Sequence, residues 1–164
     1  MIGQPELYQT LEKLNISFDY HEHPPLNTIE DAIKHKSWMD ATFCKNLFFR
    51  NHKGKKHYLV VLHHAYQMDI HDLEKRLKQG KLTFASEWRM EKYLGIKPGS
   101  VSPFGLINDT DNHVHVFFDI NLKKSNKLSF HPNDNRATLN VAFDQFLRFM
   151  EDTQNSYEFL TLYD

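Results

Sequence analysis

The sequence predicts an α+β domain, a mostly antiparallel or mixed sheet with helices packed on it. Three observations carry that expectation. Short segments alternate apolar residues with period 2, as in Ile16, Phe18 and Tyr20 or Val114, Val116 and Phe118, which marks half-buried strands. The run from Tyr58 to Leu62 is continuously apolar, as in a strand covered on both faces. Phe143, Phe146, Leu147 and Met150 recur at i, i+3, i+4 and i+7, the spacing of an amphipathic helix.

The elements follow in order. Residues 5–15 read as a helix, with Pro5 in its first turn and Leu7, Leu11 and Leu14 on one face. Ile16 to His21 reads as a strand that stops at His23-Pro24-Pro25. Thr28 caps a short helix with Asp31 at its third position. Residues 43–50 form a strand, Asn51 to Lys56 a hairpin turn, and the Tyr58 run pairs back antiparallel. Asp69 caps a helix carrying Ile70, Leu73 and Leu77, which Gly80 ends. Leu82 to Phe84 is a brief strand. Ser86 caps the next helix, with Met90, Tyr93 and Leu94 inward and Gly95 as its stop. Pro and Gly at both ends of Lys97 to Gly105 indicate an ordered loop. The strand at 114–118, the helix at 143–150 and a closing strand from Tyr157 to Leu162 complete the chain. No repeat, low-complexity tract or linker divides it.

At 164 residues the chain fits a single domain, residues 1–164. Lys and Arg number 20 against 21 Asp and Glu, for a net charge of −1. This excludes a blanket basic coat for nucleic acid and leaves room for local patches. One such patch is Arg50, Lys53, Lys55 and Lys56; others are Lys75, Arg76, Lys78 and Lys81, and Lys123, Lys124 and Lys127. A single cysteine, Cys44, excludes an intrachain disulfide and points to a reducing compartment. The N-terminus lacks a secretion signal and no apolar run reaches membrane-spanning length, so the expectation is a soluble cytoplasmic domain without a membrane or DNA partner.

The residues with chemical potential are few. In strand 43–50, Lys45 shares a face with Phe43, Leu47 and Phe49, where an ammonium is costly unless it reaches a cleft or a partner. It either guards an edge strand or supplies a fixed cation for a phosphate or developing oxyanion. Asn46 points to the opposite face, so a bulge or strand end is needed if both serve one site. His131 precedes Pro132 in a turn, and is either a backbone-bonded turn residue or a donor or acid/base near neutral pH. His21-x-His23, His63-His64 and His113-x-His115 are pairs without a nearby cysteine or a His-Glu-x-x-His pattern, so they read as strand histidines and no metal is expected. Cys44 reads as a small buried side chain.

Three segments together resemble the YbaK/ProX-type aminoacyl-tRNA editing domains. Thr42-Phe43-Cys44-Lys45-Asn46-Leu47-Phe48-Phe49 is similar to that family's Lys-Asn strand, Gly99-Ser100-Val101-Ser102-Pro103 to its Gly-x-x-x-Pro loop, and Phe130-His131-Pro132-Asn133-Asp134-Asn135 to its His-containing loop. The order is right, and the match runs from about residue 17 to the C-terminus. Within the family the chain most resembles the freestanding alanyl-tRNA(Pro) deacylases.

The resemblance implies a mixed sheet curved toward a barrel, no cofactor or metal, and hydrolysis of the ester that joins a wrong amino acid to a tRNA 3′ end. It implies that Lys45 contacts the phosphate or ribose of the terminal adenosine, with Asn46 orienting it. His131 becomes a positioning donor to the carbonyl or ribose, and water the nucleophile. Gly99, Ser100, Val101, Ser102, Pro103 and Phe104 hold the aminoacyl group, and Leu26, Ile29, Ile33 and Phe104 are either pocket wall or core. Arg50, Lys53, Lys55 and Lys56 become candidate tRNA contacts. The partners implied are the acceptor end of tRNA, with tRNA(Pro) foremost, and prolyl-tRNA synthetase. Cys44 stands where the family pattern leads one to expect Thr or Ser. The alternative function is a non-catalytic tRNA- or synthetase-binding adaptor of the same fold.

Overall fold

Leu7 and Leu11 bury completely on one face of helix α1 (Pro5–Lys13), which ends because Asn15 takes a left-handed conformation (φ 55°) and the Ile16 N–H turns back to the Leu11 carbonyl at 2.9 Å. That turn consumes Ile16, so strand β1 covers Asp19–Glu22 and starts three residues later than the alternation suggests. The computed structural model describes residues 1–25 and 41–164; the expected helix at Thr28, and Leu26, Ile29 and Ile33 as pocket wall, lie outside the described residues.

Strands β2 (Thr42–Asn51) and β3 (His57–His63) form the expected antiparallel hairpin in unbroken register from Cys44↔His63 to Arg50↔His57. Helix α2 (Ile70–Leu77) starts at Asp69, whose carboxylate accepts the amides of His71 and Asp72. Its end is Lys78 in a left-handed conformation (φ 57°), not Gly80. Strand β4 (Leu82–Phe84) precedes α3 (Glu87–Leu94), where Ser86 occupies the N-cap without a side-chain bond and Gly95 is the left-handed stop. A 3₁₀ helix at Pro103–Asn108 takes over the end of the expected loop, with Ser102 Oγ accepting the Phe104 amide at 3.0 Å. Then come β5 (His115–Asp119), a second 3₁₀ turn (Ile120–Lys124), β6 (Lys127–Phe130), β7 (Ala137–Ala142), α4 (Phe143–Thr153) and β8 (Tyr157–Leu160).

The strands run in the order β1-β7-β6-β2-β3-β5-β8, with β4 on β2. Pairs β1–β7, β6–β7, β2–β3 and β2–β4 are antiparallel, and β2–β6, β3–β5 and β5–β8 are parallel, so the sheet is mixed as expected. It is not closed: β1 and β8 stand at opposite ends of the order. The expected barrel-like sheet is therefore open.

Alternation along β3 serves two cores. Leu59 and Val61 join Phe104, Phe118, Phe130, Phe146 and Phe149 on one side; Tyr58, Val60 and Leu62 join Leu73, Leu77 and Leu162 on the other. Strand β2 divides likewise, Cys44 and Phe48 to the first core, Leu47 and Phe49 to the second. No helix among the described residues is long and apolar enough to cross a membrane.

Candidate functional site

Strand β2 forks the sheet. On one edge it pairs with β6 only at Thr42↔Leu128 and Phe43↔Ser129, and β4 does not take up that edge until Phe49↔Phe84. Between these, residues 44–48 have, among the described residues, no ladder partner on that side beyond the Ala85 amide on the Phe48 carbonyl. The fork brings the three sequence segments together. The end of β6 leads into His131, and the loop after it is tied to the 3₁₀ helix: Asn133 (φ 63°) donates from Nδ2 to the Phe104 carbonyl at 3.3 Å and to Gln4 Oε1 at 2.9 Å. Asn108 and Gln4 close this network with a pair of bonds at 2.7 and 3.0 Å.

The register then defines one polar face. Asp19, Asn140, Ser129 and Phe43 lie in a row across β1, β7, β6 and β2. Two residues along, His21 pairs with Thr138, and the β6–β7 register carried forward sets His131 beside Thr138, while Lys45 lies two residues past Phe43, where β2 and β6 no longer pair. Such rows are about 6.6 Å apart and neighbouring strands about 4.8 Å. The opposite face of the same strands carries Leu128, Phe130, Leu139 and Val141, all in the core. Thr138 and Asn140 are thus the polar members of an alternation whose apolar members are Ala137, Leu139 and Val141.

Lys45 extends from β2 and donates from Nζ to the Tyr66 carbonyl at 2.5 Å. An ammonium has three donors, so this carbonyl orients the group while leaving donors for a ligand. Asn46 leaves the opposite face of β2. No bulge interrupts the β2–β3 register, so the two side chains leave opposite faces of the strand beside the fork. The buried Oδ1 of Asn46 has no hydrogen-bond partner.

The hydrogen bonds of His131 fix its direction. Nδ1 lies 2.7 Å from the Ala137 carbonyl, which can only accept, so Nδ1 carries the proton and Nε2 of the neutral ring bears the lone pair. The family resemblance gives His131 as a positioning donor, and with Nδ1 engaged that role falls to Nε2 of the protonated ring. Beside it stands His23, ring centroids 5.7 Å apart. His23 Nδ1 meets the Pro24 carbonyl at 2.9 Å, so Nε2 accepts the Thr138 hydroxyl at 2.8 Å. Sequence reading placed His23 in a weak histidine pair and missed Thr138; the polar–apolar alternation at 137–142 was the available signal.

In the 99–104 segment, Gly99 turns at φ 88° and Ser100, Ser102 and Pro103 are buried. The Val101 and Ser102 amides make no hydrogen bond among the described residues, so they are available as donors. Phe104 is completely buried, edge-on to Phe130 at 5.7 Å and Phe149 at 5.1 Å. Its ring is core, and only its carbonyl reaches the site. Cys44 is buried too, and desolvation pushes its thiol far above the usual range, which leaves it without nucleophilic character.

Elsewhere the histidines are structural. His57 is buried, meets Arg89 Nη1 through Nε2 at 2.9 Å and His113 Nε2 through Nδ1 at 2.9 Å. His115 bridges Ser156 and Glu158. No group of three His, Cys, Asp or Glu side chains positioned to hold a metal occurs among the described residues.

Arg50, Lys53, Lys55 and Lys56 sit at the other end of β2. Arg50 is about 16 Å from Lys45 along the strand, and its guanidinium caps the Asn51 and His52 carbonyls. Lys53, Lys55 and Lys56 are exposed.

Comparison with known proteins gives this arrangement a family. The profile of the aminoacyl-tRNA editing domain matches residues 23–149. The chain is 38% identical over 152 residues to the prolyl-tRNA editing protein ProX of Acetoanaerobium sticklandii, covering 93% of each. It is 34% identical over 151 residues to a prolyl-tRNA synthetase associated domain-containing protein of Mus musculus, covering 90% of this chain and 89% of that one. A solved structure described as a candidate trans-editing enzyme for prolyl-tRNA synthetase superposes with a TM-score of 0.69 at 19% identity, covering 96% and 97% of the two chains. With its Lys-Asn strand, Gly-x-x-x-Pro turn and histidine loop meeting at one fork, the chain belongs to the aminoacyl-tRNA editing domain family.

Proposed function

We propose that the protein is a trans-editing hydrolase that removes alanine from mischarged tRNA(Pro). The observation that carries this reading is the meeting of the Lys45, Gly99–Pro103 and His131 segments at the β2 fork, in a chain 38% identical to ProX. Lys45 binds the phosphate or ribose of the terminal adenosine, and Asn46 meets a substrate group with its unpartnered Oδ1. The Val101 and Ser102 amides face the developing oxyanion, where preorganised donors are most effective. His131 Nε2 accepts a proton from the attacking water or from the 2′-hydroxyl of the ribose. The ester is already reactive, so orientation and charge stabilisation suffice without a covalent intermediate. The reading calls on no metal.

The division of labour follows from size. A synthetase pocket built for proline cannot exclude alanine, because each missing methylene is worth only about 1–3 kcal/mol. A second pocket that admits alanine and excludes proline completes the discrimination.

A panel of tRNA(Pro) charged with alanine, serine, cysteine or proline tests the reading. Rapid loss of the alanyl ester with the prolyl ester intact is the expected result. Salt-sensitive binding without turnover would establish the adaptor instead, and loss of activity in excess chelator would overturn the metal-free route.

The hairpin extends the same surface. Exchanging Lys53, Lys55 and Lys56 together for alanine is expected to raise KM for tRNA more than it lowers kcat. It is also expected to flatten the dependence of log binding constant on log salt by about 2. An unchanged salt slope in a filter-binding titration would remove the hairpin from the tRNA path.

A further inference from the structure

Buried polar atoms without partners are rare because each forfeits its bond to water and gains nothing in exchange. Among the described residues, five such atoms are Asn46 Oδ1, Ser129 Oγ, Asn133 Oδ1, Asn140 Oδ1 and Asn155 Oδ1. The last sits apart, on a residue whose Nδ2 binds Asp109 and Val114. The other four flank the β2 fork, and two of them are neighbours. Ser129 and Asn140 are directly opposite in the β6–β7 ladder, on the polar face, and only 5% and 3% exposed.

We propose that Ser129 and Asn140 form the subsite for the α-ammonium of the aminoacyl ester. This rests on the hydrolase reading above and names how its substrate is gripped. The chemistry is complementary: Oδ1 of Asn140 accepts, Oγ of Ser129 can accept, and an ammonium brings three N–H donors that must all be satisfied once it leaves water. The position is complementary as well. Ser129 is two residues before His131 on the same face, about 6.6 Å along the strand, and in the substrate the ammonium is one carbon from the ester carbonyl. Charge is compatible too. Asp19 is the cross-strand partner of Asn140, and Lys127, the nearest cation along β6, is already paired with Asp19 at 2.8 Å. Lys45 lies one strand and one row away from Ser129, so the two cations are not forced together.

The pair also explains an otherwise unfavourable feature. In the ligand-free protein these oxygens cost stability, and the cost is recovered only when the substrate supplies donors. A structural polar pair has no such signature.

The test uses Ala-tRNA(Pro) and lactyl-tRNA(Pro), in which a hydroxyl replaces the ammonium. The wild-type protein is expected to cleave the alanyl ester at least about tenfold faster, after correction for spontaneous hydrolysis, as befits hydrogen bonds to a charged group. In Asn140→Leu the alanyl rate falls by a larger factor than the lactyl rate, so the ratio of the two closes toward one, and Tm rises because a buried orphan oxygen is gone. Ser129→Ala moves the ratio in the same direction, and carries the test alone if the leucine variant does not fold. Equal loss on both esters, an unchanged ratio, or a fall in Tm with Ser129→Ala would overturn the assignment. A wild-type protein that cleaves neither ester would instead overturn the hydrolase reading itself.

Discussion

Replacing His131 with alanine is expected to slow hydrolysis of Ala-tRNA(Pro) by about 10²–10⁴-fold, the range that positioned proton transfer supplies. Binding of uncharged tRNA should change little, because the proposed function assigns nucleic-acid affinity to cations such as Lys45 and the hairpin lysines. The geometry makes a sharper comparison possible. His131 does two things: Nδ1 holds the 131–137 turn through the Ala137 carbonyl, and Nε2 presents a lone pair. Asparagine reproduces the first and not the second, since its amide can donate at the Nδ1 position. His131→Asn is therefore expected to retain the turn and the melting temperature while reacting as slowly as the alanine variant. Single-turnover kinetics at saturating protein separates the outcomes. A wild-type rate in His131→Ala would remove the imidazole from the reaction, and a wild-type rate in His131→Asn would reduce it to a turn residue.

How far the chain could be read without coordinates depended on whether a feature was local. The β2–β3 hairpin, the double-sided burial of β3 and the apolar stripe of α4 are written in spacings of two to four residues, and all three stand as expected. Strands β6 and β7 were overlooked because Ser129, Thr138 and Asn140 make them look polar. Their polar side chains alternate with core residues on buried strands, so residue type concealed the strand pattern there. Phe104 allowed two readings, pocket wall or core, and only the 3₁₀ turn that sets its ring among the core aromatics separates them. The direction of the His131 imidazole could not be read at all. It depends on a carbonyl six residues away, and nothing in residue type encodes which ring nitrogen that carbonyl will meet. Nor does spacing show that β2 parts from β6 just before Lys45 and Asn46, where no bulge interrupts the strand.

Acidification is expected to remove about 3 kcal/mol of folding stability between pH 6.5 and 4 through one buried residue, His57. Burial, His113, Arg89, Lys92 and Arg50 together hold its pKa down to about 4 from 6.5. Its ring is packed against Phe48 and Tyr93, and Nε2 accepts from Arg89, which also binds the Gly54 carbonyl of the hairpin at 3.0 Å. Protonation would set an N–H against that guanidinium in a site already ringed by cations. The sign follows from proton counts. Between pH 6.5 and 4 the unfolded chain holds a proton on this histidine and the folded chain does not, so stability is full above 6.5 and falls as pH drops toward 4. The slope reaches at most about 1.4 kcal/mol per pH unit for one proton. His63, lowered mainly by burial and then by His64, adds a smaller contribution in the same window. Asp134, held below the usual carboxylate range by Arg136, loses its contribution only at lower pH. Urea titrations at half-unit intervals should resolve the effect. His57→Gln keeps an acceptor for Arg89 and cannot titrate, so its curve should be flatter across this window even if the variant is less stable at neutral pH. A slope matching that of the wild-type protein would assign the acid sensitivity to another group. Because Arg89 links His57 to Gly54, the same protonation should loosen the hairpin that carries Lys53, Lys55 and Lys56.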